Sequence, residues 1–444
     1  MTMPLYKLTA THALELINNN TISVEAYAKS LLDRIEERDP TVKAWAYLDP
    51  ASILSQAQSL DKIPVKERGR LHGVPIGIKD IMNTKDMPTQ YGSRIYQGHR
   101  SGSDSSAVAI LRAAGALIFG KTTTTEFAAT NSGPETTNPH DPNRTPGGSS
   151  CGSAAAVADL QIPLSLGAQT GGSVIRPASF TGIFAMKPTF NAISVEGQKA
   201  FAPTFDTFGF FGRSVDDLEL LADVLSLKDD KAPVNTPLNE ISVAIIKTPM
   251  WSAAGPGTVS AMNKTIAILR SNGINVEEFA FPTDVNDADE LKRVQKFIIL
   301  GEGQASFLRE YRLDKAKLSN EIRDIIENTS NITNAEKTEA TYKLCKMRES
   351  IDRLVKRYTV VITPSAIDEA PLGLDDMGSA TFNTLWTGFH VPVINIPAFV
   401  GENGMPVGIS LVGPRYRDQQ LLLTSRVISK ILMAKGDWKF SSLM

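Results

Sequence analysis

The sequence predicts an α/β fold, with one large mixed β-sheet at its core and helices covering both faces of that sheet. Segments typical of strands and of helices alternate along most of the 444 residues, and the strand segments are continuous apolar runs. Such runs are typical of strands that are buried on both faces. Because no internal repeat, low-complexity tract or clear linker divides the chain, residues 1–444 are predicted to form a single domain.

The first half of the chain supplies strands and helices in alternation. Residues 5–40 predict two helices; Ser23 can cap the second, and the dipeptide Asp39-Pro40 predicts its end. Further helices are predicted at 51–60, 103–114 and 150–160, and strands at 44–47, 73–80, 116–119, 164–168 and 183–186. Residues 130–145, which contain several prolines, and the aromatic residues 201–213 are predicted to be irregular.

The second half continues the alternation around one long helical region. Helices are predicted at 216–225, at 258–271 and from 418 to about 432, and strands at 241–246, 274–280, 359–362, 393–396 and 407–411. Residues 287–356 are highly charged and almost all helical, with a break at 328–334. This peripheral region is predicted to cap a functional site or to form a homodimer interface.

Composition excludes several classes of function. Hydrophobic residues make up 42% of the chain and charged residues 21%, which is ordinary for a globular enzyme. The net charge of −2 argues against non-specific binding to nucleic acid or to a membrane surface. The two cysteines, Cys151 and Cys345, form neither a disulfide framework nor a metal cluster, so no metal and no cofactor is predicted. Without an apolar signal core or a run long enough to cross a bilayer, the expected location is the cytoplasm.

Two Gly-Gly-Ser turns lie on either side of a predicted helix and strand between Pro146 and Pro188. Ser149 belongs to the first turn and Ser173 to the second. Glycine adopts backbone conformations closed to other residues, so such turns let N–H groups converge on one point beside a hydroxyl. An oxygen nucleophile beside an anion-binding turn is suited to acyl transfer.

A lysine completes the candidate site. Lys79 ends the apolar run 74–78, and a lysine in a buried, apolar place can lose its proton and act as a base. Taken singly, Lys79 is explained as a surface residue at a strand end, Ser149 as a helix N-cap and Ser173 as a turn residue. All three together, within Gly-rich turns, favour a Ser–Ser–Lys hydrolytic site.

Three other patterns point to different chemistry and are less well supported. Residues 115–122 match the phosphate-binding pattern G-x-x-x-x-G-K-[ST], but a helix precedes the pattern and its middle residues read as a strand. Residues 148–152 match the G-x-S-x-G nucleophile elbow, with His390 as a late histidine, but no strand leads into them. His390 is better explained as a core or pocket residue, and Cys151 as a buried filler rather than a nucleophilic thiol.

The chain resembles the amidase signature family over nearly its whole length. The resemblance is carried by residues 73–80 (Gly-Val-Pro-Ile-Gly-Ile-Lys-Asp), 146–150 (Pro-Gly-Gly-Ser-Ser), 170–173 (Thr-Gly-Gly-Ser), 186–189 (Met-Lys-Pro-Thr) and 406–413. These motifs are long, ordered and jointly specific. The resemblance implies the amidase-signature fold, and an amidohydrolase that cleaves the C–N bond of a small linear amide to a carboxylic acid and ammonia or an amine.

The same resemblance implies a role for each matching residue. Ser173 resembles the nucleophile, Ser149 the bridging serine on a cis peptide, and Lys79 the base. The backbone N–H groups of Thr170, Gly171, Gly172 and Ser173 would form the oxyanion hole. A neutral base at pH 7 needs a lysine pKa about 3 below the usual ~10.4, a cost of about 4 kcal/mol that burial can supply.

Departures from the family pattern bear on the substrate. Gln169 stands where many members have aspartate, and Arg176 is displaced by one position, which resembles malonamidase-like members in which this arginine binds a substrate carboxylate. Arg176 is therefore expected either to clamp a small acidic half-amide or to brace its loop through backbone carbonyls. Thr123 and Cys151 also depart from the usual asparagine and glycine. Specificity is expected from the variable residues 124–135, 201–211 and 381–390.

Among the hydrolases an allophanate hydrolase is also open, although nothing in the sequence resembles its extra C-terminal domain. Two further functions of other kinds stay open beside the small-amide hydrolase. One is the amidase subunit of a tRNA-dependent amidotransferase, which would need partner subunits and an ammonia channel. The other is a catalytically inactive binding protein on the same fold, which the intact Lys79, Ser149 and Ser173 disfavour. Activity of the purified chain without partners separates the first function from both others.

Overall fold

A single eleven-stranded sheet forms the centre of the computed structural model, which describes residues 3–439. In chain order the strands are β1 (Trp45–Leu48), β2 (Pro75–Lys79), β3 (Leu117–Thr122), β4 (Leu164–Gln169), β5 (Phe184–Lys187), β6 (Thr207–Gly212), β7 (Ser242–Ile245), β8 (Asn275–Glu278), β9 (Val360–Pro364), β10 (Val393–Val400) and β11 (Pro406–Val412). Their order across the sheet is β1-β3-β2-β4-β6-β5-β10-β11-β9-β7-β8. The sheet is mixed, because β2 runs parallel to β3 and β4 while β4 runs antiparallel to β6.

Helices cover both faces of this sheet. They are α1 (Ala10–Asn18), α2 (Val24–Val42), α3 (Pro50–Asp61), α4 (Ser106–Ala113), α5 (Cys151–Ala158), α6 (Ile175–Thr181), α7 (Val215–Val224), α8 (Pro256–Ser271), α9 (Ala288–Ser306), α10 (Leu308–Asp314), α11 (Asn320–Ile326), α12 (Asn334–Val355), α13 (Thr384–Gly388) and α14 (Asp418–Lys435). Phe210 and Phe211, adjacent in β6, belong to different hydrophobic cores, as the alternation of side chains along a strand requires. The predicted α/β class, with a large mixed sheet between helices, is confirmed.

Two local predictions are wrong, and each has a physical reason. Helix α2 continues past Pro40 to Val42 and ends at Lys43, whose φ of 53° is left-handed. Proline removes one hydrogen bond from a helix, and here the helix ends within a turn of it. Residues 207–212, predicted to be irregular, form strand β6, because all six are buried and pair with β4 and β5.

The helical region 287–356 is built into the body of the fold. Its helices α9 and α12 pack against each other, and the buried side chains Leu291 and Ile298 of α9 and Leu344 of α12 join one of the two large cores. Residues 327–333 separate α11 from α12, one residue earlier than the predicted break at 328–334. Within residues 3–439, no helix is both long enough and apolar enough to cross a bilayer.

Gly152 allows α5 to approach its neighbours closely. A β-carbon at this position would lie 2.2 Å from the carbonyl oxygen of Ala44 and 2.4 Å from the backbone nitrogen of Thr123. Gly152→Ala is therefore expected to destabilise the protein by about 2 kcal/mol through overpacking. Helix propensity alone predicts the opposite sign, a gain of about 1 kcal/mol. Thermal unfolding decides between them, and a raised Tm would contradict the packing argument.

Candidate active site

Lys79 is the last residue of β2 and is fully buried. Its Nζ donates a hydrogen bond to Ser149 Oγ at 2.7 Å and another to the carbonyl oxygen of Ala168 at 3.3 Å. The lysine and the serine are 70 residues apart in the sequence, and the packing of α5 against β2 and β3 brings them together.

Burial sets the protonation of this lysine. Loss of hydration lowers the pKa of Lys79 to about 7, although the nearby Cys151 and Asp206 favour its charged form. A substantial fraction of Lys79 is thus neutral near pH 7, which is the form that can accept a proton.

The pKa of Lys79 predicts the pH dependence of catalysis. With Lys79 as the base, the role that the family resemblance implies, kcat/KM for a neutral amide is expected to rise with pH through an inflection near 7, because only the deprotonated lysine accepts a proton and its pKa is about 7. At pH 5 the rate should be about 100-fold below its plateau. A steady-state profile from pH 5 to 10 tests this; an inflection near 10, or a flat profile, would contradict it.

Ser149 lies between a tight loop and α5. The Gly148–Ser149 peptide bond is cis, as the family resemblance implies. Gly148 packs against Met377, since a β-carbon built on it would lie 2.8 Å from the Met377 sulfur. The loop that carries Ser149 is therefore held against the segment that precedes α13.

Residues 170–173 form a loop between β4 and α6 with free amide donors. Within residues 3–439, the backbone N–H groups of these four residues donate no hydrogen bond. Gln169 holds the next turn, because its Oε1 accepts from the N–H groups of Val174 and Ile175 at 2.8 and 3.0 Å. Its Nε2 in turn donates to Thr387 Oγ1 at 2.9 Å. The departure at Gln169 thus provides both an acceptor and a donor that position this loop.

Asp206 is a site residue that sequence reasoning missed. Its Oδ1 accepts a hydrogen bond from Thr170 Oγ1 at 2.6 Å, and its Oδ2 accepts from the backbone N–H groups of Phe201 and Ala202. Burial raises the pKa of this carboxyl, while the three hydrogen bonds oppose the rise. No motif marks Asp206; a lone acidic residue among the aromatic residues 201–211 was the available signal.

One cavity of about 470 Å³ brings most of the predicted residues together. Its lining includes Ser149, residues 170–173 and Arg176, together with parts of residues 128–131 and 376–380, Phe201 and Glu321. Lys79 lies behind Ser149 and does not line the cavity. A substrate in this cavity would contact both serines and the free amides.

The rim of the cavity is fastened to the helical region. Glu321 of α11 accepts hydrogen bonds from the backbone N–H groups of Asn131 and Ser132, at 2.7 and 3.1 Å. The side-chain amide of Asn131 also donates to Asp376 at 2.7 Å. The prediction that residues 287–356 cap a functional site is consistent with these contacts.

Arg176 makes hydrogen bonds that fit the bracing role, and it has an Nε that fits carboxylate binding. Its Nη2 donates to the carbonyl oxygen of Gly148 at 2.6 Å and its Nη1 to that of Gly378. Its Nε has no partner among the described residues, although the side chain is only 5% exposed and lines the cavity. Burial lowers the pKa of Arg176 to about 10, which leaves the guanidinium charged at neutral pH.

The competing motifs have structural explanations. Residues 115–122 comprise the end of the turn after α4 and the whole of β3, and the buried Lys121 of β3 pairs with Asp80 at 3.0 Å rather than facing a phosphate loop. His390 stacks on Phe190 and donates through Nε2 to the carbonyl oxygen of Thr204, and burial lowers its pKa to about 3. Burial also raises the pKa of the Cys151 thiol, which disfavours a thiolate.

The fold is that of the amidase-signature enzymes. The chain belongs to the amidase family, whose model, described as Amidase, matches residues 26–422.

The proteins that this chain is similar to include both hydrolases and amidotransferases. A glutamyl-tRNA(Gln) amidotransferase subunit of Symbiobacterium thermophilum is 31% identical over an alignment of 477 positions, gaps included, that covers 96% of each chain. A solved structure reported as an amidase superposes with a TM-score of 0.84 at 25% identity, covering 96% of this chain and 100% of the other. The complex of 6-aminohexanoate cyclic dimer hydrolase with its substrate superposes with a TM-score of 0.84 at 22% identity, covering 98% of each chain, and shows the shared fold.

Proposed function

We propose that this protein is an amidase that hydrolyses a small linear amide to a carboxylic acid and ammonia or an amine. The observation that carries the proposal is the 2.7 Å hydrogen bond between Ser149 Oγ and a buried lysine whose pKa is about 7. Ser149 lines the same cavity as Ser173 and the loop of free amide donors. A base, a proton carrier, a nucleophile and an anion site are the parts that amide hydrolysis needs.

The reaction would proceed through an acyl-enzyme. Neutral Lys79 takes a proton from Ser149 as Ser149 takes one from Ser173, and the Ser173 oxygen attacks the amide carbonyl. The tetrahedral oxyanion is stabilised by the N–H groups of residues 170–173; loss of one such donor typically costs about 10²–10³ in rate. Ser149 then gives its proton to the leaving nitrogen as protonated Lys79 returns one to Ser149, which restores the neutral lysine; an amine leaves poorly unless it is protonated. Water hydrolyses the resulting ester by the same proton route.

Ammonia release from a panel of small amides by the purified chain tests the proposal. The panel pairs neutral amides with half-amides that bear a carboxylate, such as propionamide with malonamate. Hydrolysis by the isolated protein, without cofactor or metal, would support a self-sufficient amidase. An inert chain would contradict it and would leave the inactive binding protein and the amidotransferase subunit as the remaining interpretations.

Arg176 is proposed to bind the carboxylate of an acidic half-amide through its unpartnered Nε–H. Arg176→Ala is then expected to raise the KM for malonamate by about 10–100-fold more than that for propionamide, since a hydrogen bond to a charged group contributes about 1.5–3 kcal/mol. Steady-state kinetics on both substrates measures the difference. Equal losses on both would show that Arg176 only braces the Gly148 and Gly378 loops.

A second candidate function, the catalytic subunit of a tRNA-dependent amidotransferase, is favoured by the full-length similarity to a glutamyl-tRNA(Gln) amidotransferase subunit. Such a subunit would function in a complex, whereas the proposed amidase acts alone or as a homodimer in the cytoplasm. Activity that appears only when the other amidotransferase subunits are added would favour this second function.

A further inference from the structure

A groove lies directly behind the loop that carries the free amides. It has a volume of about 310 Å³ and is formed by α9, Met250 and residues 379–384. From α9 it is lined by Lys292, Gln295, Lys296, Ile299 and Leu300. None of the functions above assigns a role to this groove.

The wall between the groove and the catalytic cavity is one side chain thick. A β-carbon built on Gly171 would lie 3.3 Å from Thr384 Oγ1 and 3.4 Å from Ala380 Cβ, and both of these residues line the groove. Ser379 and Ala380 line the cavity and the groove alike. Because Ser379 is exposed and Ala380 half-buried, a ligand that leaves the cavity over these two residues enters the groove.

The groove combines an apolar floor with an unsatisfied polar group. Its α9 residues are spaced at i, i+3, i+4, i+7 and i+8, so they share one face of the helix. Ile299, Leu300 and Met250 supply apolar surface. Gln295 is only 5% exposed, and its Nε2 has no hydrogen-bond partner among the described residues. An unpaired buried donor costs about 1–3 kcal/mol, a cost that a ligand acceptor would remove.

The charged side chains that line the groove, Lys292 and Lys296, are both positive. Lys292 and Lys296 are exposed, lie one helical turn apart and form no ion pair with another described residue. Like charges at this spacing repel each other. None of the described residues that line the groove is acidic. The groove therefore favours an anionic group at the end of an apolar segment.

We infer that this groove binds the remote end of the substrate, and that this end is a carboxylate separated from the amide by a short aliphatic chain. The inference rests on the proposed amidase function and specifies its substrate class as the monoamides of medium-length dicarboxylic acids. The amide lies at Ser173, the chain crosses Ser379 and Ala380, and the carboxylate lies between Lys292 and Lys296. Arg176 would serve shorter half-amides, whose carboxylate stays inside the cavity.

A matched pair of eight-carbon amides tests the inference. Suberamate carries a terminal carboxylate, and octanamide has a methyl group in its place. The parent protein is expected to have a lower KM for suberamate than for octanamide. The double variant Lys292→Ala/Lys296→Ala is expected to raise the KM ratio of suberamate to octanamide about tenfold, the effect of two exposed ion pairs. Ile299→Trp, which fills the groove, should raise the KM of both eight-carbon amides relative to that of malonamate.

Lys346→Ala supplies the control for loss of a surface charge. Lys346 is an exposed lysine of α12 outside the groove, so this variant should keep the parental KM ratio. A double variant whose ratio equals that of Lys346→Ala would overturn the inference. So would an Ile299→Trp variant that affects malonamate and the eight-carbon amides equally.

Calorimetry separates a failure of this inference from a failure of the amidase proposal. Suberamate is titrated into Ser173→Ala with and without the two lysine substitutions. If the parent hydrolyses none of these amides, the amidase proposal fails, yet lysine-dependent binding of suberamate would still support the groove. Absence of binding, or binding that is independent of both lysines, would overturn the groove whatever the activity.

Discussion

Ser173→Ala is expected to lower kcat for a small amide by on the order of 10⁵–10⁶-fold, with little change in KM. Without the hydroxyl no acyl-enzyme forms, and what remains is the stabilisation supplied by binding and by the free amides of residues 170–173. The loop is held by Gln169 and Asp206, so the substitution should leave it in place. Ammonia release under saturating substrate gives kcat directly.

Ser179→Ala is the matched control for this substitution. Ser179 is a buried serine of α6 whose Oγ accepts a hydrogen bond from the backbone N–H of Gly408 at 2.9 Å. Its loss should cost about 1 kcal/mol of stability and should not change kcat. A Ser173→Ala protein that retains more than a few per cent of the parental kcat would show that Ser173 is not the nucleophile.

Lys79→Met should have the next largest effect, a loss of about 10²–10⁴-fold in kcat. Methionine fills a similar volume in this fully buried place but cannot accept a proton, so the loss measures the contribution of a general base. Folding should survive, because the substitution removes a polar group that loses hydration on burial. The residual rate should no longer show an inflection near pH 7.

Lys187 provides the control, because burial lowers the pKa of this second lysine to about 7 as well. Its Nζ donates to the carbonyl oxygens of Pro188 and Val391 and has no contact with Ser149. Lys187→Met is expected to keep the inflection near pH 7. Loss of the inflection in Lys187→Met, in which Lys79 is intact, would show that the inflection reports the titration of Lys187 and not that of Lys79.

The fold was predictable from the sequence where hydrophobic pattern decides structure. Buried strands such as β2 and β11 are apolar runs, so the local sequence alone was enough to predict them. Strand β6 could not be predicted in this way, because two glycines interrupt its aromatic residues and its pairing with β4 and β5 is long-range. Helix α6 was missed for a different reason: it is seven residues long, contains Pro177 and follows a Gly-rich turn.

The candidate site likewise contains some residues that the sequence could predict and others that it could not. Lys79, Ser149 and Ser173 lie in local motifs, so their types and spacing were sufficient to select them. The contacts of Asp206 with Thr170, and of Glu321 with Asn131, join residues 36 and 190 positions apart. No local pattern encodes such contacts, because they depend on how the helical region packs.

The contact between Glu321 and the cavity rim has a consequence for how this enzyme diversifies. The proposed reacting groups come from strand ends and Gly-rich turns before residue 180, whereas Glu321 and the two groove lysines, Lys292 and Lys296, come from helices after residue 287. Substitutions that accumulate in those helices can therefore change which amide is accepted while the proposed proton route from Ser173 to Lys79 is kept. The part of substrate choice that these helices supply is thus encoded apart from the proposed chemistry and can evolve at a different rate, whereas Arg176 lies in the same stretch as the proposed nucleophile.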